Sequence, residues 1–125
     1  EVEALADLFK IYVDDYKNQY SEFMFPPKYG IEPFKMKKYE ANGLDEFGWH
    51  VDVNSTGSMN RWLAFFCYLS DNDEGHTSFP YQKVSTDCKK GTIVMFPPMW
   101  PWLHQGAKPV GKPKYFLGSY LHYVD

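Results

Sequence analysis

Apolar residues recur at steps of three and four near the N-terminus and in short runs over the rest of the chain. Val2, Leu5, Phe9, Tyr12, Val13, Tyr16 and Tyr20 share one helical face, while Asp7, Lys10, Asp14, Lys17 and Asn18 fill the other. The spacing predicts an amphipathic helix over 2–20 that packs on a sheet. Phe25-Pro26-Pro27 breaks the pattern, and Pro33 follows. Beyond it the chain reads as short strands: Phe34–Glu40, Gly48–Val53, Arg61–Leu69, Thr77–Pro80, Gly91–Phe96, Trp102–Gln105 and Lys114–Tyr123. Turn formers separate them, among them Asn42-Gly43, Asn54-Ser55-Thr56-Gly57, Asp71 to Gly75 and Gly111-Lys112-Pro113. A leading helix and a series of short strands predict a mainly β fold, a double-sheet jelly roll with the N-terminal helix packed on the sheet. One domain over 1–125 is expected, with 1–32 as helical support and 33–125 as the jelly-roll core.

Composition agrees with short strands. Aromatic residues make up 19% of the chain, and flat rings pack well on a pleated surface. The net charge of −3 comes with no strongly basic half, so phosphate-dominated binding to nucleic acid is not expected. No apolar run reaches membrane-spanning length, and no membrane partner is expected. Cys67 and Cys88 form no CxxC pair. Cys67 lies in an apolar run and reads as a buried thiol, so no disulfide is expected and the location expected is cytoplasmic.

The chemistry begins at Trp49-His50-Val51-Asp52-Val53. On a strand, His50 and Asp52 point to one face, offering an imidazole nitrogen and a carboxylate oxygen to one ion. Two ligands hold a divalent ion weakly, so a third has to come from elsewhere. Of the four histidines, His50, His76, His104 and His122, His104 lies in the β-like stretch Trp102-Leu103-His104-Gln105-Gly106. Two histidines and one carboxylate on one face of an octahedron leave three positions open, the arrangement of non-haem iron(II) oxygenases. A short HxD by itself is weak evidence, since such tripeptides arise by chance.

Lys114 adds to it. The turn-rich segment 105–113 reverses the chain and lays Lys114 on a strand near His104. A buried ammonium needs an anionic partner, and a dicarboxylate chelating the metal at one end supplies that partner with its other end. The plain alternative for Lys114 is a solvated lysine, which is the reading for Lys108 and Lys112.

From about Lys38 to Tyr123 the sequence resembles the prolyl 4-hydroxylase branch of the iron(II)/2-oxoglutarate-dependent dioxygenases. Tyr39-Glu40-Ala41-Asn42-Gly43 is similar to the family's stretch before the metal motif. Phe47-Gly48-Trp49-His50-Val51-Asp52 resembles its aromatic-x-x-His-x-Asp. Arg61 with Phe65-Phe66-Cys67-Tyr68-Leu69-Ser70 resembles its arginine, apolar strand and Tyr-Leu-Asn. Glu74-Gly75-His76-Thr77-Ser78-Phe79-Pro80 is similar to its Gly-Gly-Glu-Thr-x-Phe-Pro. Lys89 to Pro97 resembles the strand before the distal histidine, and His104 with Lys114 completes the order.

The resemblance implies a double-stranded β-helix in which His50, Asp52 and His104 hold iron. It implies that Lys114 pairs with the distal carboxylate of 2-oxoglutarate, with Tyr39 or Tyr68, and more weakly Thr77, in the same pocket. For these three residues, and for Trp102 and Tyr120, core packing is an equal alternative. Tyr120 is expected to wall the site and Trp102 to share the inward face of His104. The loop Asn54–Asn60 is expected to border the substrate. The family's paired glycines are here Glu74-Gly75 and its following acidic residue is His76, and His76 is expected at the rim rather than as a fourth ligand. The implied cofactors are Fe(II), 2-oxoglutarate and O₂, with ascorbate as a supporting reductant. The implied activity is hydroxylation of a substrate C–H bond. Prolyl or other peptidyl hydroxylation is the first reading, and a small molecule or free amino acid is the alternative. The rival classes are a zinc hydrolase, which shares the His₂-carboxylate set, and a non-catalytic jelly-roll binding module. Lys114 argues against the hydrolase, which needs no dicarboxylate anchor. The intact set His50, Asp52, His104 and Lys114 argues against the binding module, since a decayed site should lose ligands first.

Overall fold

The computed structural model describes residues 1–125. The chain opens with helix α1, Val2–Lys17. Phe9 and Val13 are its buried residues, while Val2 and Tyr12 remain exposed, so the packed stripe is narrower than the predicted one. The helix also ends before residue 20. Tyr20 lies past its end and rests on Tyr16, with ring centroids 5.0 Å apart. A single 3₁₀ turn, Glu22–Met24, follows.

Nine strands then build two antiparallel sheets. In the first, β1 (Tyr29–Ile31) and β2 (Lys35–Tyr39) pair with successive stretches of β9 (Lys114–Tyr123). Next to β9 lies β4 (Arg61–Tyr68), then β7 (Ile93–Phe96). The second sheet runs β3 (Phe47–His50), β8 (His104–Gly106), β5 (Asn72–Phe79) and β6 (Val84–Cys88). This is the predicted mainly β jelly roll with a helix on one sheet.

The first sheet is buried on both faces, and its strands show how. Alternate residues of a strand point to opposite sides. Leu63 and Phe65 of β4 and Leu121 of β9 turn toward α1 and pack with Phe9 and Val13, and partly buried Leu117 joins them. Ala64 and Tyr68 turn the other way and pack with Phe79 and Cys88 of the second sheet. β4 therefore reads as a continuous apolar run rather than an alternating one. The space between the sheets is where the functional side chains collect.

The structure departs from the sequence reading at several boundaries. Tyr29–Ile31 and Val84–Cys88 are strands that were not predicted. The former joins the first sheet, so the segment 1–32 is not purely helical. The run Asp71–Gly75 was expected as a turn, yet β5 starts at Asn72. Strand β3 stops at His50, leaving Asp52 beyond its end. Cys67 and Cys88 are free thiols, and Cys67 is only partly buried.

Candidate active site

His50 closes β3 and stands directly opposite His104, the first residue of β8, in the antiparallel register. Just past β3 the chain bends. The backbone N–H groups of Asp52 and Val53 both donate to the Pro98 carbonyl, at 2.9 and 3.0 Å. That bend, rather than strand alternation, brings the Asp52 carboxylate to the two imidazoles. Its Oδ1 lies 3.5 Å from His50 Nε2, and its Oδ2 lies 3.6 Å from His104 Nε2. One potential ligand atom from each residue falls within 4.8 Å of the others.

The protonation pattern suits a cation. His50 Nδ1–H donates to the Gly48 carbonyl at 2.7 Å, and His104 Nδ1–H donates to the Trp102 carbonyl at 2.9 Å. A carbonyl only accepts, so both Nδ1 atoms carry the proton. In the neutral rings Nε2 is then a bare lone pair. Two lone pairs and a carboxylate facing one another repel unless a positive charge sits among them. Backbone carbonyls that fix the tautomer in this way are the usual outer support of a metal-binding histidine. The donor set therefore fits a divalent ion with two nitrogens and one oxygen from the protein.

Electrostatics point the same way. Burial raises the Asp52 carboxyl, but His50, the charge of His104 and the Tyr120 hydroxyl outweigh it and hold the group below the ordinary carboxylate range. Burial lowers the His104 imidazole, against the opposing pull of Trp102 and Asp52, which favours its neutral, ligating form. The Phe47 ring stacks on His50 with centroids 3.7 Å apart, and Phe96 meets His104 edge-on at 4.8 Å.

Behind Asp52 lies a support that the sequence reading placed only in part. Arg61, on β4, grips Glu32 through Nε and Nη2, both at 2.9 Å. Its Nη1 donates to the Asp52 carbonyl at 3.2 Å, and its guanidinium lies 3.9 Å from the Tyr120 ring centroid. Glu32 gave no signal in sequence, since a lone acid before a proline has no periodicity to mark it.

Lys114 comes from the other sheet. It is 2% exposed and the only buried lysine or arginine. Nζ donates to the Gly75 carbonyl at 3.1 Å and the Ala107 carbonyl at 2.9 Å. No carboxylate pairs with it. Burial pushes its pKa down, partly countered by Cys88. An ammonium has three N–H bonds, so one remains for an incoming anion. Gly75 makes room for it, because a Cβ there would come within 2.9 Å of Lys114 Cδ. Asn72 fixes the segment that leads into Lys114. Its amide nitrogen donates to the carbonyls of Val110 and Lys112, and its oxygen accepts from the Val110 N–H. The sequence reading missed this residue because it sits in a run that looks like a turn.

The pocket residues expected around Lys114 divide in role. The Tyr39 ring lies 5.1 Å from Nζ and stacks on Phe116, so the ring face rather than the hydroxyl meets the ammonium. The Tyr68 hydroxyl bonds to Thr77 Oγ1 at 2.8 Å and to Thr86 Oγ1 at 2.9 Å. Thr86 belongs to unpredicted strand β6.

A cavity of about 760 Å³ joins the histidine–aspartate cluster to Lys114. That size suits a small ligand together with part of a second one. Tyr120 and residues Asn54, Ser55, Gly57 and Ser58 of the polar loop line it, as expected. Trp102 does not. It packs against Phe79 at 6.0 Å, and its contribution is the carbonyl that orients His104. His76 is outside both the cluster and the cavity lining.

The sequence profile of the 2OG-Fe(II) oxygenase superfamily matches residues 34–122, well over half of the chain. No curated protein matches the chain in sequence. Among solved structures it is similar to the viral collagen prolyl hydroxylase vCPH from Paramecium Bursaria Chlorella virus-1 in its 2OG complex. The identity is 21%, the TM-score is 0.76, and the match covers 95% of this chain and 73% of that one. A prolyl 4-hydroxylase from Phytophthora capsici matches at 24% identity and TM-score 0.60, covering 77% of this chain and 36% of that one. A Pseudomonas putida prolyl-4-hydroxylase matches at 19% identity and TM-score 0.59, covering 76% and 55%. At these identities the likeness shows a shared fold.

Proposed function

The chain belongs to the 2OG-Fe(II) oxygenase superfamily, and from that membership we propose that it hydroxylates prolyl or other peptidyl residues, with iron held by His50, Asp52 and His104. Lys114 takes the distal carboxylate of 2-oxoglutarate. The observation that carries this reading is the pairing of the His50–Asp52–His104 cluster with a buried ammonium that has no carboxylate partner from the protein, in one cavity. A zinc hydrolase has no use for that ammonium, and a binding module has no use for either. The choice of a peptidyl substrate is supported by the structural likeness to the viral and bacterial prolyl hydroxylases, and by a Trichoplax adhaerens prolyl hydroxylase of related fold in complex with a hypoxia inducible factor peptide fragment (TM-score 0.58, 20% identity).

Bound iron with 2-oxoglutarate and O₂ supplies oxidative decarboxylation to succinate and CO₂, with the second oxygen atom delivered to a substrate C–H bond. The protein's own share is placement. The carbonyls of Gly48 and Trp102 lock both imidazoles with Nε2 facing inward. Arg61 holds the Asp52 backbone, and Tyr120 stands beside its carboxylate. Lys114 fixes the far end of the co-substrate, and Tyr68 and Thr77 line the same cavity, with the Tyr68 hydroxyl held between Thr77 and Thr86. The rings of Phe47 and Phe96 pack against His50 and His104 and give the ligands an apolar wall, which strengthens polar contacts made beside it.

The test is direct. The purified chain is reconstituted with iron(II) without oxygen, supplied with 2-oxoglutarate, ascorbate and a proline-containing peptide library, and then exposed to air. The expected result is succinate together with peptides heavier by one oxygen atom on proline. Succinate formation should vanish in His50→Ala. No succinate from wild type with any substrate overturns the reading.

A further inference from the structure

The charged side chains lining the cavity do not balance, and the imbalance lies on β2. The lining holds two acids, Glu32 and Asp52, and four permanent bases, Lys35, Lys37, Arg61 and Lys114. Glu32 and Arg61 neutralise each other in a two-point ion pair. On the reading above, a divalent ion, the Asp52 carboxylate, the Lys114 ammonium and a 2-oxoglutarate dianion also sum to zero. Lys35 and Lys37 remain, two positive charges with no counterion.

Lys35 is exposed, but the placement of Lys37 is not that of an idle surface lysine. Strand alternation puts Lys35, Lys37 and Tyr39 on the cavity face of β2. The intervening Lys38 points outward and forms its ion pair with Glu40 at 2.6 Å. Lys37 sits opposite Phe116 in the β2–β9 register. Its Nζ lies 4.8 Å from the Phe47 ring centroid and 5.9 Å from that of Phe116. Phe47 in turn stacks on His50. One aromatic ring thus separates the Lys37 ammonium from a proposed metal ligand. Lys37 makes no ion pair. Burial pushes its pKa down, and Asp52 only partly offsets that. A half-buried cation held by ring faces alone is poorly solvated and gains from an anion brought to it.

We propose that Lys37, backed by Lys35, recognises a carboxylate on the substrate, so that the hydroxylated molecule carries an acidic group close to its reacting carbon. This rests on the iron and 2-oxoglutarate reading and narrows it. The carboxylate comes from one of two sources: an Asp or Glu beside the target residue of a peptide, or the free carboxylate of a small molecule. Both present the same chemistry to the same ammonium.

The experiment uses the full chain and matched pairs of probes. One arm holds proline peptides flanked by Asp or Glu, against the same peptides with Asn or Gln. The other holds free L-proline against L-prolinamide. Binding is read by calorimetry without oxygen, with manganese(II) and 2-oxoglutarate present, and product is read by mass spectrometry with iron(II) in air. In at least one arm the acidic member should bind about tenfold or more tightly than its amide, the size expected for one bond between charged groups. The arm in which this happens identifies the source. The advantage should shrink with added salt and disappear in Lys37→Met and Lys37→Gln. Equal binding of acid and amide in wild type, which does not depend on any variant folding, overturns the inference. So does a preference that survives in both folded variants. Succinate formation without acid preference overturns this inference alone, whereas no succinate at all overturns the reading beneath it as well.

Discussion

Replacing Lys114 by Met removes one positive charge and keeps an unbranched stem in a fully buried slot. The ligand-free protein then loses two hydrogen bonds, to the carbonyls of Gly75 and Ala107. Leaving those acceptors unpaired costs about 1–3 kcal/mol each at most. Against this, an ammonium without an anionic partner no longer has to be buried, which returns several kcal/mol. The two effects oppose, so the variant should fold, with unfolding free energy within about 2 kcal/mol of wild type. Co-substrate binding has no such compensation. A bond from an ammonium to a carboxylate in a sheltered site is worth about 1.5–3 kcal/mol, so 2-oxoglutarate should bind roughly ten- to 150-fold more weakly. Calorimetry with manganese(II) and no oxygen measures this without turnover. The control ligand is 2-oxopentanoate, in which a methyl group replaces the distal carboxylate, and it should bind wild type and variant alike. An equal loss for both ligands means that Lys114 acts only through the fold. No loss for either refutes the assignment.

The remaining perturbations follow from the same contacts. Because burial lowers the Lys114 pKa in the folded chain, 2-oxoglutarate affinity should fall as pH rises through that lowered value. The unfolded chain holds the proton longer, so the stability of the ligand-free protein should rise over the same alkaline window, as denaturant titrations at stepped pH would show. Gly75→Ala drives a Cβ to within 2.9 Å of Lys114 Cδ. It should cost about 1–3 kcal/mol of stability and weaken 2-oxoglutarate while sparing 2-oxopentanoate. Asn72→Ala strips partners from Val110 and Lys112, and chemical denaturation should show a loss of about 2 kcal/mol. Arg61→Lys keeps the charge but loses the two-point grip on Glu32 and the bond to Asp52, so it should bind manganese more weakly than wild type rather than rescue the site.

The fold and the site were unequally legible in the sequence. Long apolar stretches such as Arg61–Tyr68 and Lys114–Tyr123 announced themselves because burial on both faces leaves little room for polar residues. Val84–Cys88 did not, since Ser85, Thr86 and Asp87 on a mostly exposed outer strand carry no alternation. Asp71 to Gly75 misled in the opposite direction. Asn, Asp and Gly favour turns when nothing else constrains them, but here the Asn72 amide has backbone partners far along the chain. His50 and Asp52 were paired on an argument from strand alternation. They do converge, by a bend held at the Pro98 carbonyl, a contact 46 residues away in sequence (98 minus 52) that no local pattern reveals. Trp102 does turn inward with His104, both meeting Phe79 between the sheets, although β8 begins only at His104, but it packs as core instead of lining the cavity.

Lys114 leaves β9 in one sheet, and its ammonium ends between Gly75 of β5 and Ala107 just after β8, at the other sheet. It is therefore a tie rod across the sandwich as well as the proposed receptor for an anion. Docking a dicarboxylate adds a second strut between the same two layers, from the cluster at the ends of β3 and β8 to the base of β9. The sheets should breathe less once it is in place. The fixed separation of the two layers becomes a gauge of chain length, rejecting a diacid one carbon shorter or longer. Altering that gauge calls for changes in how the sheets pack, because the lysine cannot be moved without loosening the tie it also provides.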